Sequence, residues 1–313
     1  MSTVLQETPK TIEFRPISWR DKPLYDRYFP DAEGRGCEFS FANLYLWGRQ
    51  NLCELHGHIV LFSHFDRKSV YPYPVGQGDK RAVLDAIIAD AQARGISCRI
   101  TGLSVEARQT IEALYPDRFR FYCDEGSFDY VYDINDLADL AGKKYHAKRN
   151  HMARFWEACP DAVAEPLCAD NLDAARAMVD AWYAEKKREN PHGDYHLEEE
   201  AIAKAFRHFS DIGMDGLVLR RGDEVLALTM GNRFYADTLD VNFEKARTDI
   251  PGVYAAINCE FARYLREKYP DLRYLDREED MGIEGLRRAK RSYYPHHQVE
   301  KCWACIVEAC YDD

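Results

Sequence analysis

The same succession of strands and helices can be read twice along this chain, and a duplication of that kind leaves few folds open. In the first half, residues 11–15 alternate as a strand, and 19–29 and 38–47 carry helical spacing. Strand-like runs follow at 51–56, 58–64 and 69–73, the first two turning at Gly57. Helices over 79–94 and 104–114 flank a strand at 97–101, with Gly95 as C-cap and Ser104 as N-cap, and strands at 119–123 and 127–132 close the half. The second half gives a strand at 162–165, helices at 171–188 and 197–209, a hairpin at 216–221 and 224–231, and a strand at 234–243. A helix over 251–268 opening at Pro251, a strand at 272–276, a helix at 283–294 and a last strand region at 299–308 follow. Each half reads strand, helix, helix, three strands, helix, strand, helix, strand pair. This predicts an α/β chain with mixed α+β sheets in two tandem domains, 1–135 and 161–313, joined by a basic linker helix over 136–160.

A length of 313 residues suits two packed domains. Lys and Arg total 42 against 53 Asp and Glu, a net charge of −11, so bulk charge drives no adhesion to nucleic acid or anionic lipid. A polyanionic partner requires a local basic patch. No run approaches the ~20 apolar residues of a membrane span, and the N-terminus lacks both parts of a signal peptide, so a cytoplasmic protein is expected. The cysteines stand mostly alone within apolar runs, which predicts reduced core thiols rather than disulfides.

The basic patch lies at 142–155, where five Lys/Arg and two His occur without a carboxylate. On a helical wheel Tyr145, Met152, Phe155 and Trp156 form an apolar stripe with Lys148 and Arg149 at its borders. Two readings stay open: Lys144, Lys148, Arg149 and Asn150 bind polyphosphate or an RNA backbone, with tRNA as a partner through 143–154, or the helix shows a basic face to water.

A second constellation spans 276–295. Carboxylates at Asp276, Glu278, Glu279 and Asp280 leave a strand end, turn at Gly282 and enter a basic helix. Ile283, Leu286, Lys290 and Tyr293 share one face of that helix, which sets Lys290 among apolar neighbours and calls for an anionic partner. Glu278 or Asp280 is then a candidate general base for an attacking amine, with Lys290 and Arg287 balancing negative charge and Tyr293 protonating a leaving group. The alternative is an internal ion pair that locks the last helix to the sheet.

Asp240, Asn242 and Glu244 alternate along one strand and share a face, either as a row of substrate contacts or as the solvent side of an antiparallel strand. Cys302-x-x-Cys305 with His296, His297 and Cys310 is rejected as a zinc site, because a three-residue spacing in a strand aims the thiols to opposite faces. No nucleophile elbow, zinc helix, Walker loop or dinucleotide fingerprint is present, so hydrolase, protease, kinase and dehydrogenase chemistry have no support.

Three segments together carry a resemblance: Ser40-Phe41-Ala42-Asn43-Leu44-Tyr45-Leu46-Trp47, the run from Gly142-Lys143-Lys144 to Lys148-Arg149-Asn150-His151, and Arg277-Glu278-x-Asp280-x-Gly282-Ile283-Glu284-Gly285-Leu286-Arg287-x-x-Lys290-x-Ser292-Tyr293. With them the chain resembles a bacterial family related to the C-terminal catalytic domain of phosphatidylglycerol lysyltransferases. The doubled element order is similar to tandem GCN5-related N-acetyltransferase domains, as in Fem-type aminoacyl transferases. The resemblance implies transfer of an acyl or aminoacyl group from an activated donor to an amine or hydroxyl of a small-molecule or peptide acceptor, by direct attack and without a tightly bound cofactor. Aminoacyl-tRNA is the favoured donor and acyl-coenzyme A the next, because the loop at 246–254 keeps one Gly and carries Asp249 where the family of acetyltransferases cradles a pyrophosphate. Phosphatidylglycerol lysyltransferases generally carry a multi-helix membrane domain that this sequence lacks. A noncatalytic small-molecule-binding module on the same fold is the alternative.

Overall fold

The computed structural model describes residues 11–29, 36–65 and 68–307. In chain order the elements are β1 (Arg15–Pro16), α1 (Lys22–Tyr28), α2 (Phe41–Leu46), β2 (Gln50–Leu55), β3 (His58–Phe65), β4 (Lys68–Pro72), β5 (Val75–Gly76), α3 (Lys80–Arg94), β6 (Arg99–Leu103), α4 (Val105–Leu114) and β7 (Phe119–Cys123). Then come β8 (Asp129–Asp133), α5 (Ile134–Asp139), α6 (His146–Ala158), β9 (Val163–Pro166), α7 (Leu172–Glu189), α8 (His196–Arg207), β10 (Met214–Arg221), β11 (Glu224–Arg233) and β12 (Thr238–Ala246). The chain ends through α9 (Val253–Lys268), β13 (Tyr274–Asp276), α10 (Glu284–Arg291), β14 (His297–Val299) and β15 (Cys302–Ile306). None of the described helices is long and apolar enough to cross a membrane.

Two compact units result. The first holds Met1–Phe39, Gly48–Ser127 and Val299–Asp313, and the second Ser40–Trp47 and Phe128–Gln298. The first is built on an eight-stranded sheet ordered β1-β2-β3-β4-β6-β15-β7, with β5 beside β3, and β4 and β6 run parallel. Its helices start where the sequence indicates: the Asp79 carboxylate accepts from the Ala82 N–H at 3.1 Å and Ser104 Oγ from the Ala107 N–H at 3.1 Å, each satisfying an orphan donor.

The second unit has a seven-stranded sheet ordered β14-β8-β13-β12-β11-β10-β9, in which β12 and β13 run parallel. Leu137, Phe155, Ile257, Phe261 and Leu265 from α5, α6 and α9 pack with Leu217, Leu219, Leu226 and Leu239 of the sheet. Each such buried side chain contributes about 1.5–3 kcal/mol. The helix expected as a linker is thus part of this unit's packed layer. Its stripe residues Tyr145, Met152 and Phe155 are buried as the wheel indicates. On α8, the Lys204 ammonium donates to the Leu46 carbonyl at 3.2 Å, and His208 just beyond that helix meets the Tyr45 ring edge-on, so α2 joins the second unit.

The division departs from the contiguous segments 1–135 and 161–313, because the closing strands of the two halves change places. β8 pairs antiparallel with β13 through Tyr132↔Leu275. The last strand, β15, lies between β6 and β7, with Cys302 opposite both Leu103 and Cys123. Hydrogen bonding across a sheet ignores sequence distance, so pattern alone assigns each closing strand to the nearer half. This register also joins Cys123 to Cys302 in a disulfide across 179 residues of sequence, with Cα atoms 4.3 Å apart, which corrects the expectation of reduced thiols throughout. Cys305 is buried and forms no disulfide, while Glu308 and Cys310 lie outside the described residues.

Candidate functional site

The site forms where β12 outruns its parallel neighbour. Their pairing ends at Asp240↔Asp276, while β12 continues to Ala246. On the other flank the register of β11 slips between Met230 and Asn232. A Cβ at Gly231, in that slip, would collide with the Asp240 carbonyl, so only glycine permits the close approach. The bulge and the free end of β12 turn Asp240 and Asn242 into the protein: Asp240 is fully buried and Asn242 is 9% exposed. Their side chains meet, Asn242 Nδ2 donating to Asp240 Oδ2 at 2.9 Å. Of the two readings of this strand, the inward-facing row is the one the fold adopts.

Asn43 of α2 closes this group. Its Nδ2 donates to Asp240 Oδ2 and to Glu278 Oε1, each at 3.0 Å. Its Oδ1 accepts from Asn242 Nδ2 and Trp47 Nε1, each at 3.2 Å. Ser40, the N-cap of α2, donates to Asn232 Oδ1 at 2.9 Å. Burial, together with the neighbouring carboxylates of Glu278, Asp276 and Asp129, pushes the Asp240 carboxyl well above the usual carboxylate range.

Glu278 lies in a left-handed turn, φ +59°, a conformation that costs a non-glycine residue about 1–2 kcal/mol. The turn is held from three sides. Glu278 N–H donates to Asp276 Oδ1 at 2.8 Å, while its carbonyl accepts from Tyr130 N–H and from the Lys290 ammonium, both at 3.1 Å. Lys290 also donates to the Arg277 carbonyl. Burial, with Glu279 nearby, raises the Glu278 carboxyl to about 7, so it changes protonation near neutrality.

Around the end of β12 a second group gathers. Arg277 Nη2 donates to Glu244 Oε1 at 3.1 Å, and its guanidinium lies 5.3 Å from the Tyr293 ring centroid. Lys148 of α6 stands over the same ring at 3.6 Å and donates to Ser292 Oγ at 2.7 Å. Burial and the Arg277 charge bring Lys148 down to about 8, and burial pushes the Tyr293 phenol up to about 12. Lys148, His151, Arg247, Thr248, Gly252 and Tyr293 help to line a cavity of about 410 Å³ at the N-terminus of α9, whose unpaired N–H groups favour an anion. Gly252, the N-cap at φ +76°, is required there, since a Cβ would run into the His151 carbonyl. Asp249 is clamped by Arg247 at 2.6 Å and 3.0 Å.

Several expected site residues lie elsewhere or are engaged. Asp280 accepts from Arg287 Nε at 2.8 Å, Tyr130 Oη at 2.7 Å and Gly282 N–H at 2.8 Å, and the Arg287 guanidinium holds it down at about 2. That is the ion-pair lock rather than a base, and it occupies Arg287 too. Arg149 donates to the Leu140 and Gly142 carbonyls, Lys144 pairs with Asp136 at 3.0 Å on the surface, and exposed Asn150 meets His146 at 3.3 Å. Ile283 and Leu286 are 50% and 37% exposed, so the first part of the expected apolar face of α10 is open, while Tyr293 at its other end is buried. Lys290 meets backbone carbonyls because α10 lies beside the 277–278 turn rather than over the core. Asn43, Arg277 and Asn258, whose Nδ2 reaches toward Glu244 Oε2 at 3.5 Å, join the site without having been singled out as site residues. The available signal for Asn43 was an amide inside the apolar Phe41–Leu46 helix.

The sequence profile described as phosphatidylglycerol lysyltransferase, C-terminal, matches residues 30–306. A crystal structure of a conserved protein of unknown function from Bacteroides thetaiotaomicron is similar over 95% of this chain and 100% of its own, with 34% identity and a TM-score of 0.87. L-PGS from Bacillus licheniformis shares the fold at 15% identity, covering 97% of this chain and 95% of its own with a TM-score of 0.67. FemX shares it at 11% identity over 95% and 98%, with a TM-score of 0.59. No curated protein sequence matches.

Proposed function

The chain belongs to the family of phosphatidylglycerol lysyltransferase C-terminal domains, and on that premise we propose that it transfers an aminoacyl group from aminoacyl-tRNA to an amine or hydroxyl acceptor by direct attack. The observation that carries this reading is the Arg277–Tyr293 contact, which links a cavity lined by Lys148 and Tyr293 at the α9 N-terminus to the turn whose next residue, Glu278, bears a carboxyl poised near neutrality. The cavity, with Lys148, His151 and Arg247, suits the phosphate and ribose at the end of a tRNA. Asp249, held by Arg247, puts a carboxylate in the loop where a coenzyme A pyrophosphate would need free amides, which supports tRNA over acyl-coenzyme A.

In this mechanism Glu278 takes the proton of the attacking amine or hydroxyl as that atom bonds to the ester carbonyl carbon. The bond from that carbon to the ribose oxygen then breaks, and the Tyr293 phenol, which keeps its proton at neutral pH, supplies one to the leaving oxygen. Arg277 and Lys148 offset the charge that develops on the carbonyl oxygen. Lys290 acts through the turn it holds rather than on substrate.

Equilibrium binding of aminoacyl-tRNA across a salt series tests the donor. Affinity should fall steeply with salt, and Lys148→Met should lower the log–log slope by about one. Wild-type affinity should also weaken as pH rises through about 8, where Lys148 loses its charge. Tight coenzyme A binding that displaces tRNA would overturn the choice of donor. Saturable donor binding without turnover of any acceptor would favour the noncatalytic module.

A further inference from the structure

We propose that Asn43 is a positioning residue, whose amide bridges Glu278 to Asp240 and fixes Glu278 as the carboxyl presented to the acceptor. This inference deepens the proposed function and rests on the reading of Glu278 as the proton-accepting group.

The geometry leaves Asn43 little freedom. A primary amide has two N–H donors and two acceptor lone pairs, and here its nitrogen serves Asp240 and Glu278 while its oxygen serves Asn242 and Trp47. An amide on an otherwise apolar helix of six residues is costly to bury unless its bonds are made, and these four compensate it. Lys204 fixes the C-terminal end of the same helix, so the amide cannot drift from the two carboxyls.

What the bridge does follows from its being neutral. A Lys or Arg in this position would hold both carboxyls ionised, whereas an amide orders them and leaves their mutual repulsion in place. The groups facing the pair are Asp129 from β8, Asp276 from β13, Glu279 and Lys290 beside the turn, and Ser40 from the start of α2. Most are acidic, and their charge adds to burial in raising the proton affinity of both carboxyls. Asp240 is fully enclosed, while Glu278 is partly exposed at the turn. Solvent and an acceptor therefore reach the Glu278 carboxyl rather than that of Asp240. Asn43 Nδ2 donates to the ionised form of Glu278 and thereby keeps its proton affinity from rising further.

The test is a pH titration of protein carrying 13C-labelled glutamate side chains, followed by NMR, with Glu278→Gln assigning the signal. Wild-type Glu278 should titrate near 7. In Asn43→Ala the midpoint should rise by about one pH unit, the tenfold change in proton affinity expected when a charge-assisted hydrogen bond is lost. Asn43→Leu, which keeps most of the volume, replaces it if the alanine variant does not fold. Trp47→Phe, which keeps an aromatic ring but removes the indole N–H that orients the amide, should give a smaller rise. A folded Asn43 variant with an unmoved midpoint overturns the inference. The titration needs no transfer reaction. A shifted midpoint in a protein that transfers nothing therefore sustains the bridge while removing the proposed function, and an unmoved midpoint with transfer intact removes the bridge alone.

Discussion

Gly252→Ala probes how the donor cavity is built, because the residue sits where the first turn of α9 meets the backbone of α6. Its φ of +76° lies in the left-handed region, which costs a residue bearing a Cβ about 1–2 kcal/mol. The added Cβ would also collide with the His151 carbonyl oxygen and lie 2.7 Å from the His151 carbonyl carbon, both backbone atoms that cannot rotate away. Forcing α6 and α9 apart adds about 1–3 kcal/mol. The sum, about 2–5 kcal/mol, is a large part of a domain stability of ~5–15 kcal/mol. At ~2–4 °C per kcal/mol, the melting temperature should fall on the order of 10 °C. Scanning calorimetry measures this, with Gly285→Ala as the internal control. Gly285 is helical and has open space where a Cβ would go, so alanine there should be neutral or add up to ~1 kcal/mol. A Gly252→Ala protein that melts within about a degree of wild type would show that the α6–α9 approach is not fixed as described.

Two further outcomes follow from groups outside the cavity. The Asp280 carboxyl, depressed from 3.8 to about 2 by Arg287, is worth about 2 kcal/mol of stability above pH ~4, and that contribution drains away as pH falls toward 2. Denaturant unfolding of Asp280→Asn should therefore show a deficit at neutral pH that shrinks in acid, and a deficit independent of pH would contradict the ion-pair assignment. Reduction of the Cys123–Cys302 disulfide, or Cys123→Ser, should lower stability by about 2–5 kcal/mol, seen as an earlier unfolding transition that no longer responds to reductant in the variant.

The inward row on β12 was legible because alternation survives any tertiary context: Asp240 and Asn242 had to share a face, and only which face was open. The ion-pair lock at Asp280 was one of two readings the charge pattern allowed, and three converging donors decide it. The exchange of β8 and β15 was not legible, since each reads as the closing strand of its own half and only hydrogen-bonding partners far along the chain place it. The basic run misled for a related reason. Lys144, Lys148 and Arg149 look alike in sequence, yet Arg149 satisfies backbone carbonyls, Lys144 pairs at the surface, and Lys148 alone turns toward the cavity. The wheel for α10 placed Ile283 and Leu286 correctly relative to Lys290, but a wheel does not say which face the sheet covers. Asn43 escaped because one amide in an apolar helix gains meaning only when its four partners, three of them more than 190 residues away, are in place.

The central claim is that Glu278 takes a proton as an aminoacyl group leaves tRNA, and single-turnover transfer measures it most directly. Lysyl-tRNA carrying a labelled amino acid would be the donor, with phosphatidylglycerol vesicles and a peptide amine as parallel acceptors. The account predicts label on one acceptor at a rate that rises through a pH of about 7, and a loss of about 10²–10⁴-fold in Glu278→Gln. Equal rates for wild type and Glu278→Gln, or loss of label no faster than spontaneous hydrolysis of the ester, would contradict it.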